Sequence, residues 1–81
     1  MKVEVLYFAH LKEVVKKDRE QLDLSEGVTL RDLLQQLQRQ YEHETFQSKS
    51  LKAAINEEFA AFDQKLADGD TVALLPPVSG G

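Results

Sequence analysis

Leu30, Leu33, Leu34, Leu37 and Tyr41 recur every three or four residues as one apolar stripe, with Arg31, Gln35, Gln36, Gln38 and Arg39 around the rest of the turn. Thr29-x-x-Asp32 ahead of the stripe reads as a capping box with Asp in place of Glu. A helix with one wide apolar face needs a flat surface to cover it. In a chain of 81 residues, which has room for one core, that surface is a sheet. A domain this small buries only about 60% of its unfolded surface, so helix-on-sheet packing has to be good.

The rest of the chain supplies the strands. Residues 2–8 alternate, with Val3, Val5 and Tyr7 on one side and Glu4, Leu6 and Phe8 on the other. Residues 9–17 place Leu11, Val14 and Val15 at helical spacing among lysines and Glu13, which predicts a short amphipathic helix. Residues 19–24 read as an edge strand ending at Ser25-Glu26-Gly27. Residues 42–50 have no sustained period and read as a loop with one helical turn at most. Residues 51–55 and 58–62 form a predicted hairpin around Asn56-Glu57, and the apolar run 71–75 follows the turn Asp68-Gly69-Asp70. This order predicts an α+β layer, a mixed sheet with helices packed on one face. It is compatible with a ubiquitin-like β-grasp roll in which the first and last strands lie side by side. The expected division is a domain over 1–75 and a flexible tail over 76–81.

Charge and composition exclude several functions. Fourteen acidic against ten basic residues give a net charge of −4, which works against phosphate-backbone attraction and hence nucleic-acid binding. No apolar run approaches the roughly 20 residues that span a bilayer, and Met1-Lys2-Val3-Glu4 does not open a signal peptide, so the expected location is the cytoplasm. Without cysteine there is no disulfide, zinc-thiolate site or thiol nucleophile. The glycines at 27, 69, 80 and 81 make no phosphate-binding loop, so ATP binding by this chain alone is not expected. His10 and His43 read as surface residues, the scattered carboxylates as solvent-facing charges, and no metal site is expected.

The end of the chain carries the chemistry. Pro76-Pro77-Val78-Ser79-Gly80-Gly81 follows directly on a strand, and the prolines block further ladder pairing while favouring an extended exit. Six extended residues reach at most roughly 20 Å. Gly80 and Gly81 lack Cβ atoms and fit a narrow channel, leaving the terminal carbonyl open to attack. A carboxylate with a reference pKa of about 3.5 is a poor electrophile at neutral pH and has to be activated. Adenylation followed by displacement of AMP with sulfur leaves a thiocarboxylate on Gly81. An inert, frayed terminus is the bland alternative.

Tyr7-Phe8-Ala9, the Thr29-Leu30 helix start, Ala54-Ile55-Asn56, Asp68-Gly69-Asp70-Thr71-Val72-Ala73 and the Pro-Pro-Val-Ser-Gly-Gly ending together resemble the small subunits of molybdopterin synthase, which are ubiquitin-like sulfur carriers. The resemblance covers essentially the whole length, and the ending is its specific part. It implies a ubiquitin-activating-like adenylyltransferase that uses ATP to adenylate Gly81. It also implies a large synthase subunit that receives the thiocarboxylate and owns the catalytic side chains. This chain would then be a protein co-substrate with no cofactor of its own. The acceptor implied is cyclic pyranopterin monophosphate, which becomes the molybdopterin dithiolene, and the assembly implied is a heterotetramer.

Alternation offers a docking surface as well. If Val3, Val5, Tyr7, Phe62, Val72 and Leu74 face the helices, then Leu6, Phe8, Phe59, Ala61, Ala73 and Leu75 face outward. Family members dock through positions matching Phe8, Phe59 and Leu75. Leu6, Phe8, Phe59 and Leu75, with tail residues Pro76, Pro77, Val78 and Ser79, are the expected partner contacts. The competing arrangement covers this patch with the 42–50 loop or shifts one strand out of register. A thiamine-pathway carrier, a tRNA-thiolation carrier or modifier, and a plain interaction domain are the functional alternatives.

Overall fold

A computed structural model describes residues 1–77. Its elements are β1 (Lys2–Tyr7), α1 (Leu11–Val15), β2 (Arg19–Asp23), α2 (Leu30–Tyr41), a 3-10 turn (Glu44–Gln47), β3 (Lys52–Ile55), β4 (Glu58–Phe59) and β5 (Thr71–Leu75). The five strands form one mixed sheet in the order β2-β1-β5-β3-β4. β1 pairs parallel with β5 at the centre, and the other pairings are antiparallel. This is the expected ubiquitin-like β-grasp arrangement, with β2 on an edge.

Local chemistry explains the element ends. Thr29 caps α2: its Oγ1 accepts from the Asp32 N–H at 3.2 Å, and Asp32 Oδ2 accepts from the Thr29 N–H at 3.0 Å. Hydrogen bonds from Thr29, its backbone N–H first and its side chain second, hold the Asp32 carboxyl below its ordinary range. Asn56 and Glu57 both have positive φ, 51° and 74°, the combination a type I′ hairpin turn uses. Asp68-Gly69-Asp70 is a lock rather than a plain turn. Gly69 sits at φ +87°, Asp68 Oδ1 accepts from the Lys2 N–H at 2.7 Å, and Asp70 accepts from the Ala67 N–H and the Asn56 amide. It fixes the start of β5 between β1 and β3.

The core lies between the sheet and α2. Val3, Val5, Tyr7, Val72 and Leu74 from the central strands meet Leu30, Leu33, Leu34 and Leu37 from the stripe, and all are buried. Tyr41, the last residue of the stripe, is half-buried and stacks on Phe46 with ring centroids 5.9 Å apart. The loop around 42–50 therefore packs on the helix side, with Thr45 and Phe46 buried there. It does not cover the outer face of the sheet.

Two expectations need correction. The strand predicted over 58–62 is only Glu58–Phe59, because the chain then turns away to cap α2: Phe62 and Gln64 carbonyls accept from the Arg31 and Leu30 N–H groups at 2.8 and 2.9 Å. Phe62 is consequently half-buried beside the core instead of standing in a strand. Helix α1 is five residues long, not nine, and Lys16 closes it at φ 61°.

Glu20 organises the edge of the core. Its parity on β2 points it inward, opposite Val5, where Oε1 accepts from Tyr7 Oη at 2.6 Å and from Tyr41 Oη at 2.7 Å. Lys17 Nζ reaches Oε2 at 3.0 Å. Burial alone raises the Glu20 carboxyl, but the bonds from Tyr7, Tyr41 and Lys17 outweigh it and leave the group below its ordinary value. Burial, then the bond to Glu20, pushes the Tyr7 phenol far up. Because folded Glu20 holds its proton more weakly than the unfolded chain does, its contribution is present above the ordinary value of about 4.3 and is lost as pH falls through the depressed one. Glu20→Gln should cost about 1–3 kcal/mol at pH 7 in urea unfolding and should reduce the loss of stability between neutral pH and the acid limb. An unchanged acid limb in the variant would remove Glu20 from this role.

Candidate functional site

The outer face of the sheet follows from register. Arg19 on β2, Leu6 on β1, Ala73 on β5, Ala54 on β3 and Phe59 on β4 are successive Cα partners, so one row crosses all five strands on the side away from α2. One step toward the start of β5 the face becomes polar, with Glu4 between Gln21 and Thr71. One step toward its end, Leu75 stands opposite Lys52. The apolar part of the face thus lies at the end of β5 from which the chain continues.

Phe8 and Phe59 are the exposed large hydrophobics among the described residues, at 39% and 76%. Leu6, Ala73 and Leu75 are half-buried and Ala61 is exposed. A shallow concavity of about 520 Å³ runs across β1 and β5, with Phe8 on one rim and Asn56-Glu57 on the other. The expected outward set therefore stays together, apart from Ala61, which lies beyond the end of β4. Pro76 is buried and Pro77 exposed. Val78, Ser79, Gly80 and Gly81 lie outside the described residues.

Three members of the face were not singled out from sequence: Ala54, Arg19 and Lys52. Ala54 is 8% exposed and forms the floor between Ala73 and Phe59. Arg19 and Lys52 flank the apolar centre with positive charge, Arg19 Nη1 lying 3.9 Å from Glu4 Oε2. The period-two pattern of residues 19–24 and 51–55 already assigns their parity; the strand order was the missing information.

Among the described residues no group of three or more His, Asp or Glu residues is placed to hold a metal ion. Both histidines serve the 42–50 loop: His43 Nδ1 accepts from the Thr45 N–H at 3.2 Å, and His10 Nε2 lies 3.3 Å from Thr45 Oγ1. Among the described residues no helix is long and apolar enough to cross a membrane. What the described part offers is an apolar surface beside the end of β5.

The model of the ThiS family matches residues 5–81. The chain belongs to the ThiS family. It is 36% identical to a molybdopterin synthase sulfur carrier subunit of Chlamydomonas reinhardtii over the full length of both, and 34% identical to that of Mycobacterium tuberculosis over 100% of this chain and 99% of the relative. Among solved structures it resembles SAMP1 of Haloferax volcanii with a TM-score of 0.86 at 29% identity, covering 100% of both chains. It also resembles a chain in the complex of subunits 1 and 2 of the molybdopterin-converting factor of Helicobacter pylori, with a TM-score of 0.66 at 27% identity and full coverage of both. Beyond family membership, these likenesses bear out the ubiquitin-like β-grasp fold of the described residues.

The outer and inner faces of the sheet make separable predictions. Phe59→Asp should leave thermal stability within a few degrees of wild type, since a surface change away from packing costs within about 0.5 kcal/mol. Ala53→Asp, one residue before Ala54 on β3 and facing the core, should unfold the domain or lower its melting temperature by about 10 °C or more, because it buries an unpaired carboxylate. Equal effects of the two changes on melting would contradict the register.

Proposed function

We propose that this protein is the sulfur carrier subunit of a molybdopterin synthase, with the carboxylate of Gly81 as its reactive group. The observation that carries the reading is the end-to-end likeness to curated sulfur carrier subunits, beside this chain's own Gly80-Gly81 ending. It is supported by an apolar face located where β5 passes into Pro76-Pro77. The likeness to a chain in the subunit 1 and 2 complex supports a large subunit as docking partner.

The cycle has three steps, each on the terminal carbonyl. A ubiquitin-activating-like adenylyltransferase joins the Gly81 carboxylate to the α-phosphorus of ATP and releases pyrophosphate. A sulfur nucleophile from a donor then attacks the acyl carbon, AMP leaves, and Gly81 ends in a thiocarboxylate. On the large subunit the sulfur passes to cyclic pyranopterin monophosphate, and water restores the carboxylate; two such transfers complete the dithiolene. The absence of cysteine means that no side-chain thiol of this chain can capture the activated carbonyl first.

Docking is reversible by the same arithmetic. Burying an apolar side chain such as Phe8, Phe59, Leu6 or Leu75 contributes roughly 1.5–3 kcal/mol, while association costs several kcal/mol or more. Three or four such contacts hold a complex that can release the carrier to its next partner. A second reading, favoured by the likeness to SAMP1, a small archaeal modifier protein, makes a lysine amine the nucleophile and an isopeptide the product.

Incubation with ATP, a sulfur donor and the cognate adenylyltransferase should add about 16 Da to the intact mass, located at Gly81, as OH is replaced by SH. A chain extended by one residue after Gly81 should remain uncharged, and Phe59→Asp should bind the large subunit at least about tenfold more weakly. Absence of the mass increase, with only lysine conjugates formed, would favour the modifier reading instead.

A further inference from the structure

A second hollow lies around the corner from the docking face, where β4 stops and the chain turns toward α2. It holds about 390 Å³ and is lined by Lys49, Lys52, Phe59 and Phe62 together with the backbone side of β3. A neighbouring hollow of about 290 Å³ shares Lys49 and Phe62 and continues to Arg31, Leu34 and Phe46 on the helix side. The two form one trough with an apolar floor and three cations on its rim.

The charge here is opposite to that of the protein as a whole. The chain carries −4, yet no Asp or Glu lines either hollow. Glu58 and Asp63, the acids next to Phe59 and Phe62 in sequence, are exposed and lie outside the lining. Among the described residues Arg31, Lys49 and Lys52 make no ion pair, whereas Lys2, Lys17 and Arg19 each do. The apolar floor follows from the early end of β4. Phe62 and Ala60 are only half-buried because no strand covers them, and Phe59 is exposed.

We propose that this trough binds a short acidic segment of a partner protein, with its carboxylates on Arg31, Lys49 and Lys52 and an apolar side chain against Phe62. Charge complementarity selects the acid, and the apolar floor selects a peptide over a bare anion. A nucleic acid is disfavoured because its backbone would approach a molecule of net charge −4. Phe59 belongs both to this trough and to the outer row, so a partner seated on the sheet face could extend an acidic arm into the trough. The trough is built from described residues and does not depend on whether Gly81 carries sulfur.

The test is a titration of isotope-labelled full-length protein with an acetylated, amidated heptapeptide alternating Asp with Val and Phe, up to about 5 mM, followed by amide NMR. Saturable shifts are expected at Lys49, Lys52 and Phe62. The double variant Lys49→Glu/Lys52→Glu, both exposed positions, should keep its fold and bind about tenfold or more weakly. A peptide with Lys in place of Asp should not bind. Absence of saturable shifts, shifts confined to Leu6 and Phe8, unchanged affinity of the double variant, or tighter binding of a single-stranded oligonucleotide at the same residues would each overturn the assignment.

Discussion

The parallel pairing of β1 with β5 is the constraint on which the rest depends. It joins the first and last strands at the centre of the sheet, with Val5 beside Val72 and Tyr7 beside Leu74. Their inner side chains are the floor on which α2 lies. Parallel neighbours require a long connection, and here it is nearly the entire chain. The pair is held at its start by Asp68, Gly69 and Asp70, whose bonds to Lys2, Glu4 and Ala67 set the register. With that end fixed, the other end of β5 is the side on which the chain can leave.

Function follows from the same register. The outer side of the pair grades from Glu4 and Thr71 at the locked end to Leu6, Ala73 and Leu75 toward the exit. A partner attracted to the apolar end is brought to the point where Pro76-Pro77 begin. Under the proposed function the domain would recognise the partner, and the terminus would react in machinery that other proteins own.

Much of this was legible in the sequence, for physical reasons. The stripe of α2, its Thr29–Asp32 box and the Asn56-Glu57 turn are local signals, and all three appear as read. The inner and outer sides of β1 and β5 followed from period-two alternation. Strand β4 was read too long because Glu58 to Phe62 alternates acceptably on its own; the competing use of the Phe62 and Gln64 carbonyls as caps for α2 is a tertiary fact. The role of Glu20 was missed although it shares parity with Leu22 and Leu24. A carboxylate on the inward side of an edge strand was the available signal, but its partners Tyr7 and Tyr41 come from two other elements. Leu66, buried in the core from an irregular segment, carried no periodic signal at all.

The most direct measurement is a single turnover from the charged carrier. Thiocarboxylated protein, the large subunit and cyclic pyranopterin monophosphate are mixed, and the mass of the carrier is followed together with formation of the dithiolene. The account predicts that sulfur leaves Gly81 only when both the large subunit and the pterin are present, and that the dithiolene appears at one product for every two carriers discharged. Sulfur retained on the carrier under those conditions, or discharge onto a lysine amine without dithiolene, would contradict it.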